Sequence, residues 1–291
     1  MTRAEGRPPI VVGVDPDPGR RAALAWAADE ADRRHLPLLL VLAMEVPPGY
    51  RPATGQPAWD RWQEGLRAAG NLLLEEAVAF VASRRPGARV SAVLAEGHPE
   101  WVLHERARDA SLVVLGSWHL SAFQERFTSA AVALPLMAHA RCPVVVVPEP
   151  EHVSERPAFL VVGVDGSAHS AAAVDWAFEE AAVRGARLRA LYVRLPPVPG
   201  CDDAADFRES RRLLSEALAG RTAAYPDVDV RHEVVTGHPV EVLTKESEHA
   251  LGLIVGSRGR GGFPGMLLGS VSQGAVLHAR CPVVTVPRPS P

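Results

Sequence analysis

The pentapeptide VVGVD occurs twice, at residues 11–15 and 161–165, and the closing runs HARCPVVVV and HARCPVVTV keep the same order at 139–147 and 278–286. Between these anchors fall Trp26 and Trp176, then EGHP at 96–99 and TGHP at 236–239, then VLGS at 114–117 and IVGS at 254–257. Self-similarity over so long a period makes the chain two copies of one folding unit. The copies stand 150 residues apart at first and about ten fewer later, which places a deletion after the second strand of copy two. The Pro- and Glu-rich stretch PEPEHVSERPA, 148–158, reads as a linker. Two domains are therefore expected, 1–150 and 157–291, and 291 residues allow each its own core.

Each copy alternates strand and helix signals. In copy two, apolar runs predict strands at 159–165, 187–193, 229–236, 251–256 and 283–286. Helices are predicted at about 170–184, 203–223, 240–250 and 270–279, and copy one repeats the order from Ile10 to Val147. Trp176 and Val183 are expected on one face of the first of these helices, with Trp26 and Trp176 in the cores. Alternating β and α elements with right-handed crossovers imply an α/β fold, two tandem doubly wound parallel-sheet domains. Such sheets bind ligands beyond the carboxyl ends of their strands, where the strand order reverses. Asp165 and Gly256 end two strands and are candidates for that place.

The loop after Gly256 reads GSRGRGGFPGMLLGS, 256–270, and joins a strand to a helix. Glycines let backbone approach a ligand closely, and successive N–H groups can form an anion-binding concavity. Ser270 is expected to cap the following helix, whose first-turn N–H groups would face a phosphate. Ser272 could add a hydroxyl, and Arg258 and Arg260 add positive charge. At the other strand, the Asp165 carboxylate could accept hydrogen bonds from a ribose or an adenine amine; the alternative is a plain helix cap.

Composition removes other classes. A formal charge of −3 and a single lysine, Lys245, argue against a dedicated nucleic-acid or anionic-membrane surface. No apolar run approaches the ~20 residues of a membrane helix, and residues 1–9 do not read as a signal peptide. Three cysteines do not form a disulfide framework, so a reducing cytoplasm is expected. The pairs His139/Cys142 and His278/Cys281 offer two ligands per copy where a structural zinc wants four, so no metal site is expected. His98 and His238 read as surface residues of Gly-His-Pro turns, and Cys201 as an exposed loop residue.

These residues resemble the universal stress protein family in its tandem form, over about 10–148 and 159–287. The signature Gly-x2-Gly-x9-Gly-Ser is matched at Gly256, Gly259, Gly269 and Ser270. The resemblance implies a sheet of the flavodoxin or adenine nucleotide α-hydrolase type, binding of ATP with Mg²⁺, and dimer formation through the last strand. It implies a regulatory role in stress, hypoxia or growth arrest. By the same likeness Gly163, Val164, Asp165 and Val193 would line the adenosine pocket. Gly256, Gly259, Gly269, Ser270, Val271 and Ser272 would hold the phosphates, with Val255 beside them and Arg258 in the same loop.

Copy one departs from the signature. Its loop is GSWHLSAFQERFTSA, 116–130, with His119 for the second glycine, Ser129 for the third and Ala130 for the serine. Asp15-Pro16-Asp17 replaces Asp-Gly-Ser, and Glu125 adds negative charge near the presumed phosphate position. Copy one is therefore expected to bind ATP poorly or not at all. Two alternatives stand beside an ATP-binding regulator: a weak ATPase of the α-hydrolase type and a nucleotide-free scaffold. No PP-loop, Walker A motif or nucleophile elbow is present and no general base is visible, so slow hydrolysis is the most an enzymatic reading allows. Expected partners are an adenine nucleotide, a regulatory protein, and a second chain or the other copy, through the last strands Val144–Val147 and Val283–Val286, whose apolar edges invite pairing.

Overall fold

Runs such as LLLVLAM and FLVVGV are apolar at successive positions, the pattern of strands buried on both faces. The computed structural model describes residues 7–45, 57–118, 125–149, 152, 154–197, 203–261 and 267–288. The chain divides into two units, Met1–Leu136 and Met137–Pro291.

The first unit contains β1 (Ile10–Gly13), α1 (Ala22–Arg34), β2 (Leu38–Met44), α2 (Pro57–Arg84), β3 (Val90–Glu96), α3 (Pro99–Ala107) and β4 (Leu112–Trp118), with α4 (Glu125–His139) next in the chain. Its strands lie in the order β3-β2-β1-β4, all parallel. Ile10, Val11, Val12, Val113 and Val114 are fully buried at its centre.

The second unit contains β5 (Val144–Glu149), β6 (Phe159–Val164), α5 (Ala168–Arg184), β7 (Arg187–Arg194), α6 (Asp203–Leu218), α7 (Arg221–Ala224), β8 (Val230–Thr236), α8 (Pro239–Glu246), β9 (Gly252–Gly256), α9 (Ser270–His278) and β10 (Val283–Val286). The order is β5-β10-β9-β6-β7-β8, parallel from β10 to β8. The chain thus leaves β6 in one direction for β7 and β8 and returns on its other side for β9 and β10. The doubly wound topology is as the alternation of elements predicts, and the crevice of the switch opens between β6 and β9.

β5 pairs antiparallel with β10, with Val146 opposite Val283 and Val144 opposite Thr285. The last strand of copy one therefore covers the apolar edge that the last strand of copy two would otherwise expose. Among the described residues no helix is long and apolar enough to cross a membrane.

Three details differ from the sequence reading. The helix expected over 203–223 is two helices, because Gly220 takes φ +79 between them. Trp26 and Trp176 are half-buried and not in the cores. Val183 is 42% exposed. On α5 the stripe facing the sheet is Ala173, Val174, Ala177, Phe178 and Ala181, each fully buried. Small residues let the helix sit close on the strands; an indole fits only at the flank of such a stripe.

Candidate functional site

Asp165 follows β6 directly and is the hub of the crevice. Its backbone N–H donates to Ser170 Oγ (3.1 Å), and its Oδ1 accepts from the Ser167 N–H (2.9 Å). Ser167 caps α5 by accepting from the Ser170 N–H (3.1 Å). Asp165 is therefore not the helix cap; Ser167 is. The second oxygen, Oδ2, accepts from the Arg260 N–H at 2.9 Å. The carboxylate so ties the end of β6 to the loop after β9. Gly166, at φ +78, permits the turn between Asp165 and the cap.

The glycine loop leaves β9 with the Ser257 N–H bonded to the Val286 carbonyl and returns with the Gly269 N–H bonded to the Ser257 carbonyl, both at 2.9 Å. Arg258 Nε donates to the Leu267 carbonyl at 3.1 Å. Gly262 and Gly265 lie outside the described residues. The cap of α9 is Gly269, in extended conformation and with no side-chain cap, so Ser270 is the first helical residue and not the cap as expected. The N–H groups of Ser270, Val271 and Ser272 have no intrahelical acceptor in such a first turn. First-turn N–H groups of this kind carry the positive end of the helix dipole, and Arg258 and Arg260 lie in the loop that leads to them.

The glycines of the signature answer first to the chain itself. A Cβ on Gly259 would lie 2.5 Å from Asp165 Oδ2, and one on Gly256 would lie 2.7 Å from the backbone carbon of His169. On Gly269 it would stand 3.3 Å from Arg258 Cα. The reading that these positions exist for ligand approach is thus incomplete: the loop's own path already requires them. Ser272 is buried and its hydroxyl donates to the Gly256 carbonyl at 2.6 Å, so it offers a ligand its N–H and not the hydroxyl expected of it. Val164 and Val255 are buried, and Gly163 packs against Leu243 and Val255, so these three shape the crevice floor. Val193 stands one residue past the Val164–Tyr192 pair, at the rim of the neighbouring strand.

Two residues escaped the sequence reading. His169, in the first turn of α5, lies over Gly256. Its imidazole is held below the usual histidine range by burial first, then by Arg258 and Arg288, with Asp165 pulling the other way. Arg288 thereby joins the arginines of the loop as a third positive charge near the crevice. An anion among them would raise the His169 value, so nucleotide binding should take up protons, and affinity should rise as pH falls through the bound-state value toward the lower free-state value. An imidazole NMR titration checks this; identical His169 curves with and without nucleotide would place the phosphates elsewhere.

Copy one builds something else at the matching place. Asp15 Oδ2 pairs with Arg20 at 3.2 Å, and its other oxygen accepts from the Asp17 N–H at 2.8 Å. The helix after β4 begins at Glu125, so Ser129 and Ala130, which stand against Gly269 and Ser270, are already helical. The first turn of this helix therefore comes more than one helical turn, or ~5 Å or more, earlier in the chain than that of α9. His119 lies outside the described residues, as does Cys201. His98 and His238 are exposed caps of α3 and α8, each followed by proline. Burial pushes the Cys142 and Cys281 thiols up to about 11, which leaves them unreactive.

The family model for the universal stress proteins matches residues 6–148 and again 160–287. The chain belongs to the universal stress protein family. A universal stress protein of Mycobacterium tuberculosis is 35% identical over 94% of this chain and 95% of its own length. One of Mycobacterium bovis is 36% identical over 98% of each. A crystal structure of a universal stress protein from Archaeoglobus fulgidus covers 96% of both chains at a TM-score of 0.68 and 16% identity, a likeness of fold. The two family matches coincide with the two copies read from the sequence.

Proposed function

We propose that this universal stress protein binds ATP in its second repeat and uses the bound nucleotide to regulate a partner or its own association. The observation that carries the reading is the link from Asp165 through the Arg260 N–H to a glycine loop that ends on an uncapped helix, all at the switch point of the sheet. The donor set fits a triphosphate: first-turn N–H groups, Arg258 and Arg260, with Arg288 and His169 beside them. Gly163, Val164, Asp165 and Val193 would frame the nucleoside; Val255, Gly256, Gly259, Gly269, Ser270, Val271 and Ser272 would surround the phosphates. Mg²⁺ would arrive with the triphosphate. The first repeat, with Asp15 committed to Arg20 and its helix starting early, serves as a nucleotide-free partner. The buried, unreactive thiols of Cys142 and Cys281 agree with work in the cytoplasm.

Nucleotide stoichiometry tests the reading. The protein is saturated with Mg-ATP, freed of excess, denatured, and the released adenine nucleotide quantified. One nucleotide per chain is expected, and none from Gly269→Glu, which puts a carboxylate at the helix N-terminus. Two per chain would overturn the silent first repeat; none from the natural sequence would return the protein to the scaffold class.

A further inference from the structure

We propose that a hollow in the first unit, between β3 and α3, is a second binding site, for a small organic cation with an apolar or aromatic body. The hollow measures about 650 Å³, within the range of small-molecule sites. Its floor is Leu39, Val93 and Ala95, and Trp101 of α3 forms one wall. Trp101 is 62% exposed, an unusual outlay of indole surface on a helix that otherwise buries its apolar side chains.

The second repeat shows why the space is there. Arg189 occupies the position of Leu39, with its Nη2 2.6 Å from Glu246 Oε2 and its guanidinium 5.8 Å from the centre of the Phe159 ring. An ion pair and a stacked ring thus fill that place in copy two. In copy one the same three positions carry Leu39, Arg106 and Pro9. Val93 replaces Glu233, and Trp101 replaces Glu241. Every change at these five positions except Arg106 removes charge or bulk, and together they leave an apolar floor facing an aromatic wall.

The charge of the ligand follows from the rim. Glu96, Glu105 and Asp109 border the hollow against one guanidinium, Arg106. Glu96 is held by Arg67 and Glu105 by Arg108. Asp109 has no hydrogen bond or ion pair among the described residues and follows the carboxyl end of α3, where the helix dipole is negative. Arg106 likewise has no ion pair among the described residues and offsets the charge of Asp109, so the negative helix pole and the exposed indole face are what favour a cation.

Calorimetry with three probes sharing one body tests this: 4-phenylbutylammonium, 4-phenylbutanol and 5-phenylpentanoate. The ammonium should bind saturably at one per chain, and the other two at least about tenfold more weakly. The double variant Leu39→Arg/Arg106→Glu, which installs the ion pair of the second repeat, should lose binding while keeping the natural thermal midpoint. Asp109→Asn, which leaves the floor intact, should weaken the ammonium alone. Ammonium binding that persists in the double variant, a carboxylate that binds as tightly, or no saturable binding at millimolar concentration would each overturn the proposal. None of these outcomes depends on ATP.

Discussion

Gly256→Ala is expected to lower the unfolding free energy of the second unit by about 3 kcal/mol, while Gly116→Ala in the first stays within about 0.5 kcal/mol of the natural protein. The two glycines match in sequence but not in surroundings. A Cβ on Gly256 would stand 2.7 Å from the carbon and 2.8 Å from the oxygen of the His169 peptide. These are backbone atoms, so the methyl can be admitted only by moving α5 off β9. A Cβ on Gly116 would meet Ala23 Cβ at 3.7 Å, an ordinary contact. The difference comes from the helix starts: α5 begins at Ala168, whereas α1 begins only at Ala22, so Gly116 faces the Ala23 methyl and no helix backbone. Hydrogen exchange in increasing urea, read on peptides from each unit, would separate the effects. Equal losses at the two sites would show that the His169 peptide is not the obstacle.

Asp165→Ala is expected to weaken ATP binding about a hundredfold. The carboxylate joins β6 to the loop by accepting from the Ser167 and Arg260 N–H groups. Hydrogen bonds to a charged acceptor contribute ~1.5–3 kcal/mol each, and loss of about 3 kcal/mol in loop organisation corresponds to about a hundredfold. Asp165→Asn, which keeps an acceptor oxygen, should fall between. Asp15→Ala should leave binding untouched, since Asp15 is paired with Arg20 in the first unit. Equilibrium titration with Mg-ATP measures all three; natural affinity in Asp165→Ala would reduce Asp165 to a residue that shapes its own turn.

What the sequence discloses here is what repeats or alternates. VVGVD written twice, with helices between successive apolar runs, is sufficient for two doubly wound sheets and for placing Asp165 and Gly256 at the ends of two strands; that those strands are neighbours is seen in the structure. Facing and closeness are less legible. The pairing of Asp165 with the Arg260 N–H depends on a loop path that no spacing encodes, and His169 reads as an ordinary helix residue until α5 is laid over Gly256. The exposure of Val183 follows from an alanine stripe chosen for close approach over hydrophobicity. The early start of α4, at Glu125, is not announced by the two glycines missing from the loop of the first repeat. The hollow beside Trp101 becomes visible only when Leu39 is set against Arg189, a comparison that requires the strand register of both repeats.

The antiparallel pair of β5 and β10 also has a history in time. Val146 and its partner Val283 lie at opposite ends of the second unit's chain. A ribosome adding ~5–20 residues each second emits β5 roughly 7–27 s before β10 exists. Throughout that interval a four-valine strand carries an unfilled row of backbone donors and acceptors on one side. The stretch of synthesis open to pairing with a neighbouring nascent chain on this edge therefore ends only as β10 emerges.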